Sequence, residues 1–133
     1  MGEIFEKLNL KDQQEILVLR APESFQPELA RLPVLTIHHH IESVAEIGFM
    51  LAFVTRKSEV DALAGEVARR AVGDAIVWFA YPKGTSKKYK CDFNRDTGWD
   101  SLKAAGFDCV RAVSIDADWT GLRFRRKEYI KSR

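Results

Sequence analysis

The stretch DAIVWFAY, residues 74–81, is apolar from Ala75 onward and shows no alternation of apolar and polar side chains. A strand with one face in water alternates, so this stretch predicts a strand covered by helices on both faces. Burial on both faces is typical of parallel sheets in α/β proteins. The stretch therefore predicts an α/β fold class.

Strand-like and helix-like segments alternate on either side of this stretch. The sequence predicts strands over 15–22, 33–38, 49–55, 74–81, 108–116 and 121–129, and helices over 24–32, 40–48, 58–73 and 95–107. The last two strands are joined by the four residues ADWT, a hairpin length, so the sixth strand should be antiparallel. With right-handed crossovers we expect an α/β, doubly wound, mostly parallel six-stranded sheet in the order 2-1-3-4-6-5, with helices on both faces.

The clearest helical pattern follows the third strand. We interpret Ser58 as its N-cap, with Asp61 three residues later completing a capping-box-like start. Val60, Leu63 and Val67 form one apolar stripe, and the helix should end near Gly73.

Length and composition predict an ordinary globular protein. The 133 residues are 46% apolar and 30% charged with a net charge of +2, which fits a single domain over 1–133 and gives no general sign of nucleic-acid binding. Neither a signal peptide nor a membrane-spanning run is apparent, and we expect a cytoplasmic location. Cys91 and Cys109 lack zinc-site spacing. We expect Cys109 in the core and Cys91 near the surface.

Doubly wound sheets bind ligands outside the carboxyl ends of their strands, where the winding direction reverses. Here that edge should carry RAPESF (20–25), TRKS (55–58) and the lysine-rich loop PKGTSKKYK (82–90). Glycine, hydroxyls and ammonium groups can surround an anion. The predicted phosphate-binding residues are Arg20, Arg56, Ser58, Lys83, Gly84, Thr85, Ser86 and Lys87.

An alternative interpretation of the lysine-rich loop needs no ligand. The loop can be a solvated surface segment whose charge is neutralised by Asp92, Asp116 and Asp118, and Glu23 and Glu59 also reduce the positive field at this edge. Trp119, at the tip of the final hairpin, is either a contact for a ligand or partner, or a lid on the core.

Other kinds of site are less well supported. His38 and His40 can share a strand face, but two histidines without a nearby acid or cysteine make a poor metal site, so no metal is expected. The basic C-terminal segment RFRRKEYIKSR (123–133) lies on a strand that runs away from the lysine-rich loop. Nucleic acid is therefore a disfavoured partner, and a homodimer remains open.

The element order, ending in an antiparallel hairpin, resembles the class I S-adenosylmethionine (SAM)-dependent methyltransferase fold with one strand–helix unit missing. The chain is also similar to a family of small bacterial proteins that carry a domain of unknown function. The residues that carry this second resemblance are KLNLKDQQEILVLRAPESF (7–25), LAFVTRKSEVDAL (51–63), WFAYPKGTSK (78–87), RDT (95–97) and DWTGLRF (118–124). The resemblance implies the Rossmann-like fold and brings no activity with it.

Three features that the methyltransferase resemblance implies are absent from the sequence. The turn after the first strand, RAPESF, has no glycine, although cofactor-binding members need a glycine-rich turn there. The second strand ends in three histidines, with no ribose-binding acid until Glu42, and VTRKS (54–58) replaces the catalytic Asn/Asp-Pro-Pro-aromatic motif.

From these departures we expect a non-catalytic binding module without catalytic residues or cofactor. Its ligand would be an anionic, phosphate-bearing small molecule or a protein partner at the carboxyl edge. The alternative is a divergent SAM- or nucleotide-dependent transferase.

Overall fold

The computed structural model describes residues 3–130. Its helices are α1 (Glu3–Lys7), α2 (Gln26–Ala30), α3 (Lys57–Arg70) and α4 (Asp100–Ala104), and its strands are β1 (Glu15–Leu19), β2 (Thr36–His38), β3 (Ile47–Phe53), β4 (Ala71–Pro82), β5 (Phe107–Ser114) and β6 (Trp119–Arg126). Short 3-10 turns occupy Glu23–Phe25, Ile41–Ser43 and Lys127–Tyr129.

The six strands form one sheet in the order β2-β1-β3-β4-β6-β5. The pairs β1–β2, β1–β3 and β3–β4 are parallel, and β6 lies antiparallel to both β4 and β5. The structure therefore confirms the predicted α/β fold and strand order. The carboxyl ends of β1 to β4 meet at one edge, which we call the carboxyl edge.

Apolar side chains are buried on both faces of the sheet, as the 74–81 stretch predicted. On one face Phe79 packs in a cluster with α3 and α4, which contribute Val60 and Leu102. On the other face Trp78 packs in a second cluster that includes Phe5 of α1. The Trp78 indole N–H donates to the Leu8 carbonyl at 2.7 Å and fixes the end of α1 to the sheet.

The predicted helix over 40–48 is wrong, because only a 3-10 turn forms there. Ile41 and Val44 are both buried, and a single turn brings both to the core. Val44 already has extended backbone, and β3 begins at Ile47.

The predicted starts of two helices also change. Helix α3 begins at Lys57 with Arg56 at the N-cap, so Ser58 lies within the first turn, and Asp61 pairs with Lys57 at 2.8 Å. The helix predicted over 95–107 shrinks to 100–104. The Asn94 carboxamide accepts the N–H of Asp96 at 2.8 Å, which holds the preceding residues in a turn.

Cys109 is exposed rather than in the core, because β5 is the outermost strand of the sheet. Within residues 3–130, none of the helices has the length and apolarity needed to cross a bilayer.

Candidate functional site

Three cavities lie along the carboxyl edge. The switch-point cavity, of about 350 Å³, lies beyond the ends of β1 and β2 and against the first turns of α3. The aromatic cavity, of about 330 Å³, lies beyond β1 and β3, and the lysine-loop cavity, of about 740 Å³, lies beyond β4 and β6. All three volumes fall in the range of small-molecule sites, roughly 300–1,000 Å³.

The switch-point cavity combines an apolar wall with charged groups. Its lining residues are Leu19, Arg20, His39, His40, Ile41, Glu42, Ser58, Glu59, Ala62 and Leu63. Glu42 belongs to the 3-10 turn that follows β2, so this turn delivers a carboxylate to the end of the second strand. An acid therefore does line the cavity beyond the second strand, where the sequence offers none before Glu42.

Arg20 directly follows β1 and lies in the left-handed backbone region, with φ of 59°. Glycine adopts this conformation at little cost, whereas arginine is strained in it. The Arg20 guanidinium reaches the Glu59 carboxylate at 2.5 Å. The chain thus forms the tight turn after β1 without a glycine, and it places an ion pair where the turn meets α3.

Two carboxylates occupy the N-terminus of α3. Glu59 Oε1 accepts the backbone N–H of Thr55 at 2.7 Å and that of Arg56 at 3.1 Å. Asp92 Oδ1 accepts the backbone N–H of Lys57 at 2.7 Å. Carboxylates of the chain itself therefore already occupy the N-terminus of α3, where the predicted phosphate-binding residues Arg56 and Ser58 lie.

The aromatic cavity lies between the other two. Its walls include Phe53, Tyr89 and Trp119, with the Trp119 ring 5.0 Å from that of Phe53 and 4.9 Å from that of Tyr89. Trp119 is 3% exposed, and its indole N–H has no acceptor among the described residues. The tryptophan closes the end of the sheet and still lines a cavity.

The lysine-loop cavity is lined by residues of two paired strands and by the segment 83–90. Tyr81 and Thr120, partners in the β4–β6 ladder, form the floor. The roof is the segment 83–90, in which the Lys83 N–H donates to the Asp118 carbonyl at 2.8 Å and the Ser86 hydroxyl to the Asp118 carboxylate at 2.9 Å. The roof is thus tied to the β5–β6 hairpin.

The lining of the lysine-loop cavity is cationic. Lys83, Lys90 and Arg95 line it, and no Asp or Glu of the described residues does so. Burial raises the pKa of the Tyr81 hydroxyl and of the Cys91 thiol, which also line it. Both groups are therefore neutral near pH 7, and neither offsets the three positive charges.

The predicted anion-binding residues do not form one site. Arg20 and Ser58 line the switch-point cavity, whereas Lys83, Gly84, Thr85 and Ser86 line the lysine-loop cavity, and Trp119 lines the aromatic cavity. Lys87 and Arg56 are exposed and line none of the three.

Sequence reasoning missed Glu42, Lys90 and Arg95 as lining residues. Lys90 belongs to the lysine-rich loop, so its position and charge pointed to this edge of the sheet. Arg95 was the first residue of the helix predicted over 95–107, so it was not expected to line a cavity.

Of the three acids that we expected to neutralise the lysine-rich loop, Asp118 accepts the Ser86 hydroxyl of that loop, and the other two have partners elsewhere. Asp116 accepts the backbone N–H groups of Asp118 and Trp119 at 2.8 and 3.0 Å and thereby shapes the hairpin turn. Asp92 caps α3, as described above. Between residues 3 and 130, no ion pair joins a lysine of this loop to a carboxylate.

The histidines separate after β2. His38 Nε2 lies 2.9 Å from the Glu15 carboxylate of β1, while His39 and His40 line the switch-point cavity. Across the described part of the chain, no three side chains of His, Cys, Asp or Glu are grouped so that they could hold a metal ion.

Solved structures share this fold. A SAM-dependent methyltransferase from Aquifex aeolicus superposes with a TM-score of 0.61 at 13% identity, over 93% of this chain and 88% of that one. A protein described as a type 11 methyltransferase from Sulfolobus solfataricus superposes with a TM-score of 0.57 at 9% identity, over 91% of this chain and 89% of that one. The fibrillarin pre-rRNA processing protein of Methanococcus jannaschii superposes with a TM-score of 0.56 at 11% identity, over 88% of this chain and 68% of that one. No protein-family model and no curated protein matches the sequence.

These likenesses establish a methyltransferase-like, Rossmann-like fold. They also overturn the expectation of a non-catalytic binding module, because structures with this fold are described as methyltransferases and thus favour the transferase alternative. Three departures from the methyltransferase pattern led to that expectation, among them the absence of a glycine after β1. The left-handed conformation of Arg20 shows that the turn forms without one.

Proposed function

We propose that this protein is a SAM-dependent transferase whose cofactor binds in the switch-point cavity. One observation carries the proposal: a ligand-sized cavity opens beyond the carboxyl ends of β1 and β2, with an acid following β2. Open α/β sheets bind their ligands where the winding reverses, here between β1 and β3, and both Arg20 after β1 and Ser58 after β3 line this cavity. The named SAM-dependent methyltransferase from Aquifex aeolicus with the same fold supports the choice of cofactor.

The lining residues fit the chemical groups of SAM. Glu42 would accept hydrogen bonds from the ribose hydroxyls, the role that the methyltransferase resemblance gives to an acid after the second strand. Arg20 and Glu59 carry opposite charges side by side, which suits the carboxylate and the ammonium group of the methionine part. Leu19, Ile41 and Leu63 supply apolar surface. When bound, SAM would supply a methyl group on a positively charged sulfur.

The turn after β1 is the point at which this chain differs most from the pattern of cofactor-binding methyltransferases. The left-handed φ of Arg20 gives the backbone the bend that glycine usually provides, but the side chain is retained. Because that side chain is 63% exposed and held by Glu59, it lies at the cavity wall as a potential ligand group. The residues present therefore fit the cofactor with Arg20 as a participant.

Isothermal titration calorimetry with SAM and S-adenosylhomocysteine tests the proposal. We expect both to bind, and Glu42→Gln to weaken binding about tenfold or more, because a hydrogen bond to a charged group contributes roughly 1.5–3 kcal/mol. Glu46→Gln is the matched control, since Glu46 is exposed and lines none of the three cavities.

Failure of both ligands to bind the wild-type protein would overturn the proposal. If Glu42→Gln leaves the affinity for SAM unchanged, the cofactor does not bind in the switch-point cavity. ATP serves as a competitor in the same experiment, and tighter binding of ATP than of SAM would also contradict the assignment.

A further inference from the structure

The lysine-loop cavity has a charge pattern that the proposed cofactor does not use. Three cations line it without a carboxylate, and the side chains of Lys90 and Arg95 make no hydrogen bond or ion pair among the described residues. Lys83 contributes its charge while its ammonium donates to Ser114 at 2.7 Å. Two cations are thus free to bind a ligand.

The hydroxyl groups around this cavity add donors. Tyr81, Thr85, Tyr89 and Thr120 line it, whereas the hydroxyl of the fifth lining residue, Ser86, already donates to Asp118. A charged oxygen that accepts hydrogen bonds from cations and hydroxyls is held more strongly than a neutral one. The polar part of the cavity therefore suits a phosphate or carboxylate group.

The remaining wall is aromatic and preorganised. The Phe93 ring lies 6.0 Å from that of Tyr81 and 4.9 Å from that of Trp99, and the Trp99 indole N–H donates to the Asn94 carbonyl at 3.0 Å. Phe93 and Tyr81 also line the cavity, and both are 8% exposed. Aromatic walls of this kind bind flat apolar groups by offset or edge-to-face contact.

The three cavities share their walls. Tyr89 lines both the lysine-loop and the aromatic cavity, and Arg20 and Glu59 line both the aromatic and the switch-point cavity. A molecule in the lysine-loop cavity would thus lie on the same edge of the sheet as the proposed cofactor, and its acceptor atom would reach the methyl group by extending through the aromatic cavity.

We infer that the lysine-loop cavity binds a small aromatic molecule that carries a phosphate or carboxylate group. That this molecule is the methyl acceptor rests on the proposed function. The binding of an aromatic anion does not depend on it, because it follows from the lining of this cavity alone.

Binding of three probes tests the inference. Phenyl phosphate and benzoate carry the ring and the negative charge, and phenol is the neutral control. We expect calorimetry to show binding of at least one of the two anions, and binding of phenol at least about tenfold weaker, because a charged hydrogen bond contributes more than one decade of affinity.

Two double variants locate the site. Lys90→Ala with Arg95→Ala removes the two free cations from the lining, and we expect the affinity for the anion to fall about tenfold or more. Lys87→Ala with Lys88→Ala removes the same charge from exposed positions of the same segment that do not line the cavity. We expect this control to change the affinity less than about threefold, because these two charges lie outside the cavity lining and act on a bound anion only across solvent, where salt screens them.

Equal loss in both double variants, or no binding of either anion to the wild-type protein, would overturn the inference. The titration of SAM in the same variants separates this failure from that of the proposed function. If SAM binds and neither anion does, the proposed function stands and the lysine-loop cavity is not the acceptor site. Anion binding without SAM binding supports the cavity and contradicts the transferase.

Discussion

Glu59 accepts the backbone N–H of Thr55 through one carboxylate oxygen while its other oxygen lies 2.5 Å from the Arg20 guanidinium. One side chain thus caps α3 and joins that helix to the end of β1. Because its side chain is only 15% exposed, its replacement leaves backbone donors without an acceptor.

We expect Glu59→Ala to lower the free energy of unfolding by about 1–3 kcal/mol, since it removes both the helix cap and an acceptor for buried donors. Arg20→Ala removes only the exposed ion pair and should cost below about 1 kcal/mol. Urea unfolding of both variants measures the difference. Equal costs would show that the ion pair, and not the cap, is the main contribution.

Gly98 has φ of +94°, and a Cβ atom there would lie 2.7 Å from the Cβ of Phe93. We expect Gly98→Ala to cost about 3 kcal/mol or more, from backbone strain together with this clash. Gly106 has a similar φ of +98° with no atom within 4 Å of its added Cβ, so Gly106→Ala should show the strain alone, about 1–2 kcal/mol. Thermal or urea unfolding compares the two, and similar values would mean that Phe93 moves aside freely.

Trp78 and Trp119 are both buried, but of these two only the Trp78 indole N–H has an acceptor within residues 3–130, the Leu8 carbonyl. The change to Phe removes a similar volume at each position. We expect Trp78→Phe to destabilise the protein by about 1–3 kcal/mol more than Trp119→Phe, because it leaves that carbonyl unpaired. Urea unfolding measures the gap, and a larger cost at Trp119 would show that its N–H has a partner in solution.

The Arg125 guanidinium donates to Asp74 and lowers the pKa of this carboxyl below its usual value. A carboxyl with a lowered folded pKa stabilises the protein above the unfolded pKa, about 3.9, and loses this contribution as the pH falls through the folded value. Asp74→Asn should therefore reduce stability at pH 7, and the difference from wild type should shrink as the pH falls below about 4. Urea unfolding at several pH values checks this, and a constant difference would contradict it.

The strand order could be predicted because it depends on local patterns that the sequence displays. The unbroken apolar run 74–81 required cover on both faces, and the short link 117–120 required a hairpin. The boundaries of helices were harder to predict. The start of α3 depends on Glu59 and on Asp92, whose carboxylate comes from 35 residues farther along the chain.

The candidate site was only partly predictable for the same reason. The edge of the sheet and four lining residues of the lysine-loop cavity followed from topology and composition. The division into separate cavities did not, because it depends on where the segment 83–99 folds back. Glu42 reaches the end of β2 through a 3-10 turn in a segment whose periodicity favoured a longer helix.

The shared wall formed by Arg20 and Glu59 has a thermodynamic consequence. Any molecule that draws either side chain toward one cavity changes the shape and charge of the neighbouring cavity at the same time. Occupancy of the two cavities is then linked. The factor by which the first ligand alters the affinity for the second equals the factor by which the second alters the affinity for the first. A ligand that extends into the aromatic cavity would in this way change the affinity for the proposed cofactor without any movement of a domain.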